Sequence, residues 1–327
     1  MHRILFRRIV GSPVVSFNTF PQRVFYSTTC HRLKQPRSII PDHTLPPDDV
    51  QDVQQSARKA VINDLFSLGG RTVVVTGAGR GLGITLASAV LEAGADVVCL
   101  DVLPEPSDVE WNGIMKTSHE TGRRATYHQC DITSEDQVQA ALATAAAQAG
   151  ERKRPIRGLV SCAGVQQMVD AIDYPAEGFR RILDINVTGN FLVAKHAARL
   201  MRNANTSGSI LFIASMSGQI ANRGIHCTAY NTSKAAVQQM TRSLSVEWGR
   251  YGIRVNSLSP GYIRTAMTDQ LLAEKPEIEK TWMAGASLGR LGSVEDFKAP
   301  AVYVLGDGAS FMTGADLRVD GGHCASA

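Results

Sequence analysis

The stretch Thr72-Val73-Val74-Val75-Thr76-Gly77-Ala78-Gly79-Arg80-Gly81-Leu82-Gly83 decides the fold. The β-branched run Thr72–Thr76 predicts a strand covered on both faces. A helix is predicted over Leu82–Ala93. Between them the glycines let the backbone turn sharply and approach a pyrophosphate, and the helix N-terminus offers unpaired N–H groups to the same anion. Glycine spacing alone is a weak signal, equally met in surface turns; the strand–loop–helix context strengthens it.

Outward from this turn, Asp96–Leu100 reads as a second strand that ends at Asp101, 20 positions after Gly81. A carboxylate there accepts hydrogen bonds from adenosine ribose hydroxyls and repels a 2′-phosphate, which favours NAD. Arg80 points the other way, since a guanidinium in the loop pairs with that phosphate and suits NADP. The Asp side chain faces the ribose directly, so NAD is the favoured expectation. Asp131, after a third strand at Ala125–Gln129, is read either as a cap of the next turn or as a contact to the adenine ring.

The rest of the body alternates in the same way. Gln137–Gln148 is an Ala-rich helix and Ile156–Ser161 a fourth strand, followed by a helical stretch to about Met201. Ser209–Ala214 is a fifth strand, Ala229–Arg250 a long helix, Ile253–Leu258 a sixth strand and Asp316–Val319 a short seventh. Strands apolar on both faces and alternating with helices predict an α/β domain, its parallel sheet covered on both sides. No internal repeat and no second domain of distinct composition follows.

Tyr230-Asn231-Thr232-Ser233-Lys234 opens the long helix. Residues four apart share a helical face. Below Tyr230 and Lys234 that face continues through Val237, Thr241, Leu244 and Trp248, which predicts packing on the sheet. A free phenol, with a pKa of about 10, is a poor base at neutral pH. A nearby ammonium stabilises the phenolate and is expected to lower that value, making Tyr230 a general acid and base. The Y-x-x-x-K spacing is common by chance, so its partners decide its meaning. Ser215 ends the fifth strand, where open parallel sheets place ligands, 15 residues before Tyr230. Asn186 sits within a predicted helix, where Asn is unfavourable, and is expected to hold a water or to bend the helix.

Thr76-Gly77-x-x-x-Gly81-x-Gly83, Cys162-Ala163-Gly164, Asn186, Ser215, Tyr230-x-x-x-Lys234 and Pro260-Gly261, in this order, resemble the short-chain dehydrogenase/reductase family over about residues 65–322. The resemblance implies a single Rossmann-like, doubly wound domain: a seven-stranded parallel sheet with helices on both faces. It implies a catalytic set of Asn186, Ser215, Tyr230 and Lys234. It implies cofactor contacts from Thr76, Gly77, Arg80, Gly81, Leu82, Gly83, Asp101, Asp131, Ile132, Cys162, Ala163, Gly164, Asn186, Tyr230 and Lys234. Pro260, Gly261, Ile263 and Thr265 are expected at the nicotinamide. Ser161-Cys162 stands where the family usually has Asn-Asn, which puts a strand-stabilising contact in question. The loop from Ser215 to Tyr230 is also longer, by about two residues, than in many members. Asp64-Leu65-Phe66-Ser67-Leu68 and Ser215-Met216-Ser217-Gly218 are similar to the fungal polyol dehydrogenase and sorbose reductase branch. The implied activity is NAD(P)-dependent interconversion of a secondary alcohol and a ketone, with a polyol or sugar ketone as substrate. A tailoring ketoreductase of a secondary-metabolite pathway and a non-catalytic nucleotide-binding protein are the alternatives.

Residues 1–40 carry seven of the chain's 34 Lys and Arg and no acid, so the remainder is net negative against 30 Asp and Glu. The body therefore offers no basic footprint for nucleic acid. The cationic leader has the composition of a mitochondrial presequence, and Arg23-Val24-Phe25-Tyr26-Ser27 resembles a processing site cut after Phe25 and trimmed to Ser27. A leader without an address would leave the protein cytoplasmic. Residues 41–64 read as a linker, with a short helix possible within Gln51–Leu68, and 65–327 as the catalytic domain. No apolar run is long enough to span a bilayer, and no membrane partner is expected. The six cysteines are scattered, and His128 and His196 lack companions at ligand spacing, so no metal is expected. Met216, His226 and Cys227 are candidates for the substrate pocket. Arg264–Arg290, with Met267, Leu271, Leu272, Trp282 and Met283, reads as a lid or as an ordinary amphipathic helix pair. The resemblance implies that Gly189–Met201 and Val237–Trp248 form homodimer or homotetramer interfaces.

Overall fold

A computed structural model describes residues 61–325; of Ala266, Met267, Gln270 and Leu271 only the backbone is described. The expected presequence and nearly all of the expected linker lie outside these residues. The first elements are a one-turn helix α1 (Ile62–Leu65), β1 (Thr72–Thr76), α2 (Gly81–Glu92), β2 (Asp96–Asp101) and α3 (Asp108–Thr121). They are followed by β3 (Ala125–Gln129), α4 (Glu135–Glu151), β4 (Ile156–Ser161), α5 (Ala176–Leu183), α6 (Asn190–Asn203) and β5 (Gly208–Ile213). The chain continues through α7 (Thr228–Trp248), β6 (Ile253–Pro260), α8 (Ala266–Glu274), α9 (Pro276–Gly285), α10 (Lys298–Leu305) and β7 (Asp316–Val319).

All strand pairings are parallel, and the sheet of seven strands runs β3-β2-β1-β4-β5-β6-β7. β1 shows why it is covered on both faces. Val74 joins the core under α4, α6 and α7, while Val73 and Val75 join the core under α2 and α10. Alternate residues of a strand face opposite ways, so a run of β-branched residues needs a helical layer on each side. Full burial of each valine contributes about 1.5–3 kcal/mol.

The chain leaves β1 in one direction and returns to β4 on its other side. The crevice between these strands opens at their C-terminal ends, where doubly wound sheets hold ligands. Thr76 and Ser161 lie in register there. Gly77 turns out of β1 at φ +66°, and a Cβ on it would fall 2.7 Å from Ala163 Cα. Only glycine serves at that close approach.

Several expectations are corrected. The segment from Cys162 to Pro175 is irregular, and the helix begins only at Ala176. Its backbone groups are engaged by side chains instead, Val165 by Asn186 above all. α3 has no counterpart in the sequence reading. It buries only Ile114, so it carries no apolar stripe to read, and it ends at Gly122 with φ +65°. α10 was likewise not anticipated. Leu68 is the first fully buried side chain of the described residues. Among the described residues no helix is long and apolar enough to cross a membrane.

Candidate active site

At the nucleotide end, Gly83 packs so closely that a Cβ on it would fall 2.0 Å from the Gly77 carbonyl oxygen. Gly81, at φ +61°, faces open space. The N-cap residue Arg80 makes no side-chain cap and no acid of α2 itself stands in its first turn, so its N–H groups suit a bound anion, although Glu110 of α3 accepts from Gly81 N–H at 3.2 Å. The residues present therefore fit a dinucleotide pyrophosphate. Asp101 accepts from Gly79 N–H at 2.8 Å and from Leu103 N–H at 3.0 Å. Its carboxylate is thereby fixed against the loop edge. Arg80 is exposed on that edge.

Asp131 Oδ1 accepts from Thr133 N–H at 2.9 Å and from its hydroxyl at 2.8 Å. The turn-capping reading of Asp131 describes this geometry. Ile132 lies in the core, wedged so near Gly189 that a Cβ there would meet Ile132 Cγ1 at 2.7 Å. Thr76 Oγ1 accepts from Cys162 N–H at 3.2 Å and Ala163 N–H at 3.3 Å. Burial pushes the Cys162 thiol up to about 12, leaving it un-ionised and inert at neutral pH. Gly261 N–H donates to Val319 at 3.0 Å, extending the β6–β7 edge beyond Pro260. Ile263 bridges to Gly292, and Thr265 and Thr268 exchange side-chain and backbone hydrogen bonds at the start of α8.

At the chemical end, the Ser215 side chain, whose Oγ accepts from Ser217 N–H at 3.1 Å, acts on the half-buried Tyr230 phenol and favours its ionised form. Lys234 is 5% exposed, donates to the Ile213 carbonyl at 2.8 Å and stands 5.5 Å from the centre of the Tyr230 ring. Gly164 lies above them: a Cβ on it would sit 3.6 Å from Lys234 Nζ and 3.3 Å from Asn186 Oδ1. Sequence reasoning expected Lys234 to lower the Tyr230 pKa, and in the protein alone it does not. Burial dominates, raising Tyr230 to about 12 despite the opposing effect of Ser215, and lowering Lys234 to about 8. The phenol is therefore a protonated donor at neutral pH, beside a charged ammonium.

Asn186 sits, fully buried, in a widened π-helical turn, Asp184–Gly189, between α5 and α6. Such one-turn insertions are frequent at functional sites. Its amide donates to Val165 O at 2.9 Å and Ser233 Oγ at 3.0 Å, and its Oδ1 accepts from Val165 N–H at 2.8 Å. Both amide hydrogens are thus engaged by protein atoms rather than presented to a water.

Two residues were missed by the sequence reading. Asn190 Nδ2 donates to the Asn186 carbonyl at 2.9 Å and the Ala163 carbonyl at 3.0 Å, and its Oδ1 accepts from Ser161 Oγ. Together with the Thr76 hydroxyl, this contact supports the strand end where Ser161-Cys162 replaces Asn-Asn. Gln238 Nε2 donates to the Ser215 carbonyl and to Ser259 Oγ, each at 3.0 Å. Each follows a predicted site residue by four positions, so one helical turn of reading from Asn186 and Lys234 finds both.

The substrate side differs in part from expectation. Met216 and Cys227 are buried, while His226 is exposed and pairs with Asp170 at 3.1 Å. α8 and α9 bury Leu272, Ile278 and Trp282 with Leu291, giving the segment the apolar underside common to both readings of it. Tyr262 stacks on Trp282 with ring centroids 4.0 Å apart, and His323 meets Tyr262 edge-on at 5.1 Å. Among the described residues no cluster of three or more His, Cys, Asp or Glu could hold a metal.

A family profile described as "Enoyl-(Acyl carrier protein) reductase" matches residues 77–323. A short-chain dehydrogenase/reductase of Aspergillus versicolor, notP′, is 53% identical over 80% of this chain and 90% of its own. Galactitol 2-dehydrogenase (L-tagatose-forming) of Cereibacter sphaeroides is 35% identical over 79% of this chain and 97% of its own. The crystal structure of a short-chain type dehydrogenase/reductase from Mycobacterium marinum matches with a TM-score of 0.73 and 38% identity, covering 80% of this chain and 98% of that one. With the doubly wound sheet and the Gly-rich turn already in place, these matches settle the family: the chain belongs to the short-chain dehydrogenases/reductases, oxidoreductases whose fold binds NAD(P).

Proposed function

We propose that the protein interconverts a polyol and its sugar ketone with NAD as the preferred nucleotide, using Tyr230 for the proton. The observation that carries this reading is the buried Lys234 ammonium held 5.5 Å from the centre of the Tyr230 ring, with the Ser215 side chain acting on the same phenol. When bound, the nicotinamide supplies or accepts the hydride. In reduction, Ser215 orients the carbonyl oxygen, and Tyr230 gives that oxygen its proton as the carbonyl carbon gains the hydride. The phenolate left behind is stabilised by Lys234, and in oxidation it takes the alcohol proton back. Asn186 and Asn190 hold the floor beneath these groups. The polyol class is supported by the likeness to the galactitol enzyme, and the NAD preference by Asp101 at the ribose edge.

A subunit interface through α6 and α7 belongs to the same proposal. Val246 there is 77% exposed, and a cavity of about 160 Å³ on this face is lined by Lys195, Arg199, Trp248 and Tyr251. Mitochondrial import through residues 1–40 completes it, and rests on their composition alone.

The likeness to notP′ of Aspergillus versicolor keeps a second substrate class open, a bulky ketone of a biosynthetic pathway. Oxidation of NADH and NADPH against ketoses and against bulky aromatic ketones separates the two. The proposal fails if nucleotide binds, no carbonyl is reduced, and Tyr230→Phe behaves as wild type.

A further inference from the structure

We infer that Glu110, on the first turn of α3, is a second determinant of nucleotide choice that acts with Asp101 to exclude a 2′-phosphate. This rests on the proposed NAD preference. The Gly-rich loop does not stand alone; the segment after β2 is sewn along its edge. Ala78 N–H donates to Leu100 O at 3.2 Å, and Ser107 N–H to Gly79 O at 2.8 Å. Between these ties, Asp101 Oδ2 accepts from Gly79 N–H at 2.8 Å and Glu110 Oε1 accepts from Gly81 N–H at 3.2 Å.

Arg80 lies between the two carboxylates. Its backbone is extended, φ −166° and ψ 170°, so the flanking N–H groups are about 7 Å apart. Its guanidinium is exposed and makes no ion pair among the described residues. On sequence grounds it competes with Asp101 for the ribose substituent. The structure adds a third charge to that contest. A phosphate drawn to Arg80 meets a carboxylate on each side. Free ribose hydroxyls, by contrast, donate to those carboxylates, whereas a phosphate dianion brings only acceptors. Loop and Asp101 are in direct contact, with no room between them: a Cβ on Gly79 would fall 2.9 Å from Asp101 Cγ.

Calorimetric titration of the full chain with 5′-AMP and with 2′,5′-ADP tests this without turnover. Wild type is expected to bind 5′-AMP more tightly. Glu110→Gln keeps an oxygen that can accept from Gly81 N–H and loses only the charge. It is expected to shift the ratio of affinities about ten-fold toward 2′,5′-ADP, since specificity here comes from repulsion. Adding Asp101→Asn should shift it further. Glu105→Gln, an exposed acid nearby without a loop contact, should leave the ratio in place. Raising the salt should erode the wild-type discrimination, because exposed charges are screened. The ratio of NADPH to NADH in kcat/KM should follow the same order. If wild type discriminates and Glu110→Gln leaves the ratio unchanged, the role of Glu110 is overturned while the NAD reading stands. If wild type binds 2′,5′-ADP as tightly as 5′-AMP, the NAD reading fails and this inference with it.

Discussion

The Asn186 side-chain amide donates to Ser233 Oγ at 3.0 Å, while the same side chain makes a two-way clamp on the backbone of Val165. One buried Asn thus ties the loop leaving β4 to the helix that carries Tyr230 and Lys234. Removing it leaves the part-buried Val165 N–H and carbonyl without their partner and takes one donor from Ser233 Oγ, which still donates to the Tyr230 carbonyl at 2.7 Å. Asn186→Ala is expected to cost about 2–4 kcal/mol of stability, each orphaned group adding its desolvation penalty. The kcat should fall with it, because the two walls of the site are no longer fixed to each other. Denaturant titration beside steady-state kinetics checks this. A fall in kcat at unchanged stability would instead favour a relay role over a clamp.

Lys234 carries a cost that the chemistry requires. Burial lowers it from 10.5 to about 8. Between these values the unfolded chain holds the extra proton, so stability rises with pH across that window and the penalty is complete below about 8. Somewhat over two pKa units correspond to about 3 kcal/mol. Lys234→Met also loses the bond to the Ile213 carbonyl, so it should stabilise the protein by about 2 kcal/mol at pH 7. That advantage should be gone, and slightly reversed by the lost bond, by pH 10.5, which melting at both pH values tests. Activity should fall at least about a thousand-fold in the variant. In wild type, kcat/KM for reduction should decline above pH 8 as the ammonium is lost, and Lys234→Arg should move that decline upward.

Why so much of this was legible follows from where the signals lie. β1 and the Gly-rich turn are local, and their residues state both burial and backbone path. Tyr230, Lys234 and Ser215 were readable because strand ends and helical turns fix their relative positions. The Tyr230 pKa was misread because sequence shows the neighbouring charge and not the burial that outweighs it. α3 was missed because a helix that buries one apolar residue has no period. Asn190 and Gln238 lie one helical turn from predicted residues, but the backbone groups they hold at Ala163 and Ser215, like the Gly81 N–H that Glu110 holds, are distant in sequence, and periodicity does not display such partners.

Two glycines of one motif should fail for different reasons. A Cβ on Gly83 meets the Gly77 carbonyl oxygen at 2.0 Å, so Gly83→Ala must displace the turn itself. At Gly81 the Cβ meets nothing, and only the φ of +61° resists. Gly81→Ala should therefore cost about 1–2 kcal/mol. Gly83→Ala should cost more and abolish nucleotide binding. Melting temperature and dinucleotide titration on both variants check the order, and equal penalties would sink the assignment.

Gln238 holds Ser215 through its carbonyl rather than through its hydroxyl. Gln238→Leu keeps the volume and removes the donor, leaving the carbonyl and Ser259 Oγ short of a bond. The expected result is a loss of about 1–2 kcal/mol in stability. The kcat should drop about ten-fold with little change in KM, because a misplaced Ser215 is felt most in the transition state. Gln238→Glu, an acceptor facing the Ser215 carbonyl, should be worse than Leu. A variant whose KM rises while kcat stays would place Gln238 at the substrate instead.

Trp282 separates packing from hydrogen bonding in the segment over the crevice. It is 3% exposed and stacks on Tyr262 at 4.0 Å, yet its indole N–H is buried without a partner. Trp282→Phe keeps an aromatic face against Tyr262 and deletes the unpaired donor. The desolvation relief and the smaller ring then work against each other, so stability should change by less than about 1 kcal/mol. Trp282→Ala removes the stack and opens a cavity among Leu272, Ile278 and Leu291, at a cost of about 3–5 kcal/mol if the segment unfolds with the domain. If α8 and α9 open independently as a lid, global stability is spared. The loss then appears as a higher substrate KM and faster hydrogen exchange confined to residues 262–291. Nucleotide affinity should be less affected, since the Gly-rich turn lies at the other end of the crevice. Exchange measured on Trp282→Ala therefore decides between a lid and an ordinary packed helix pair.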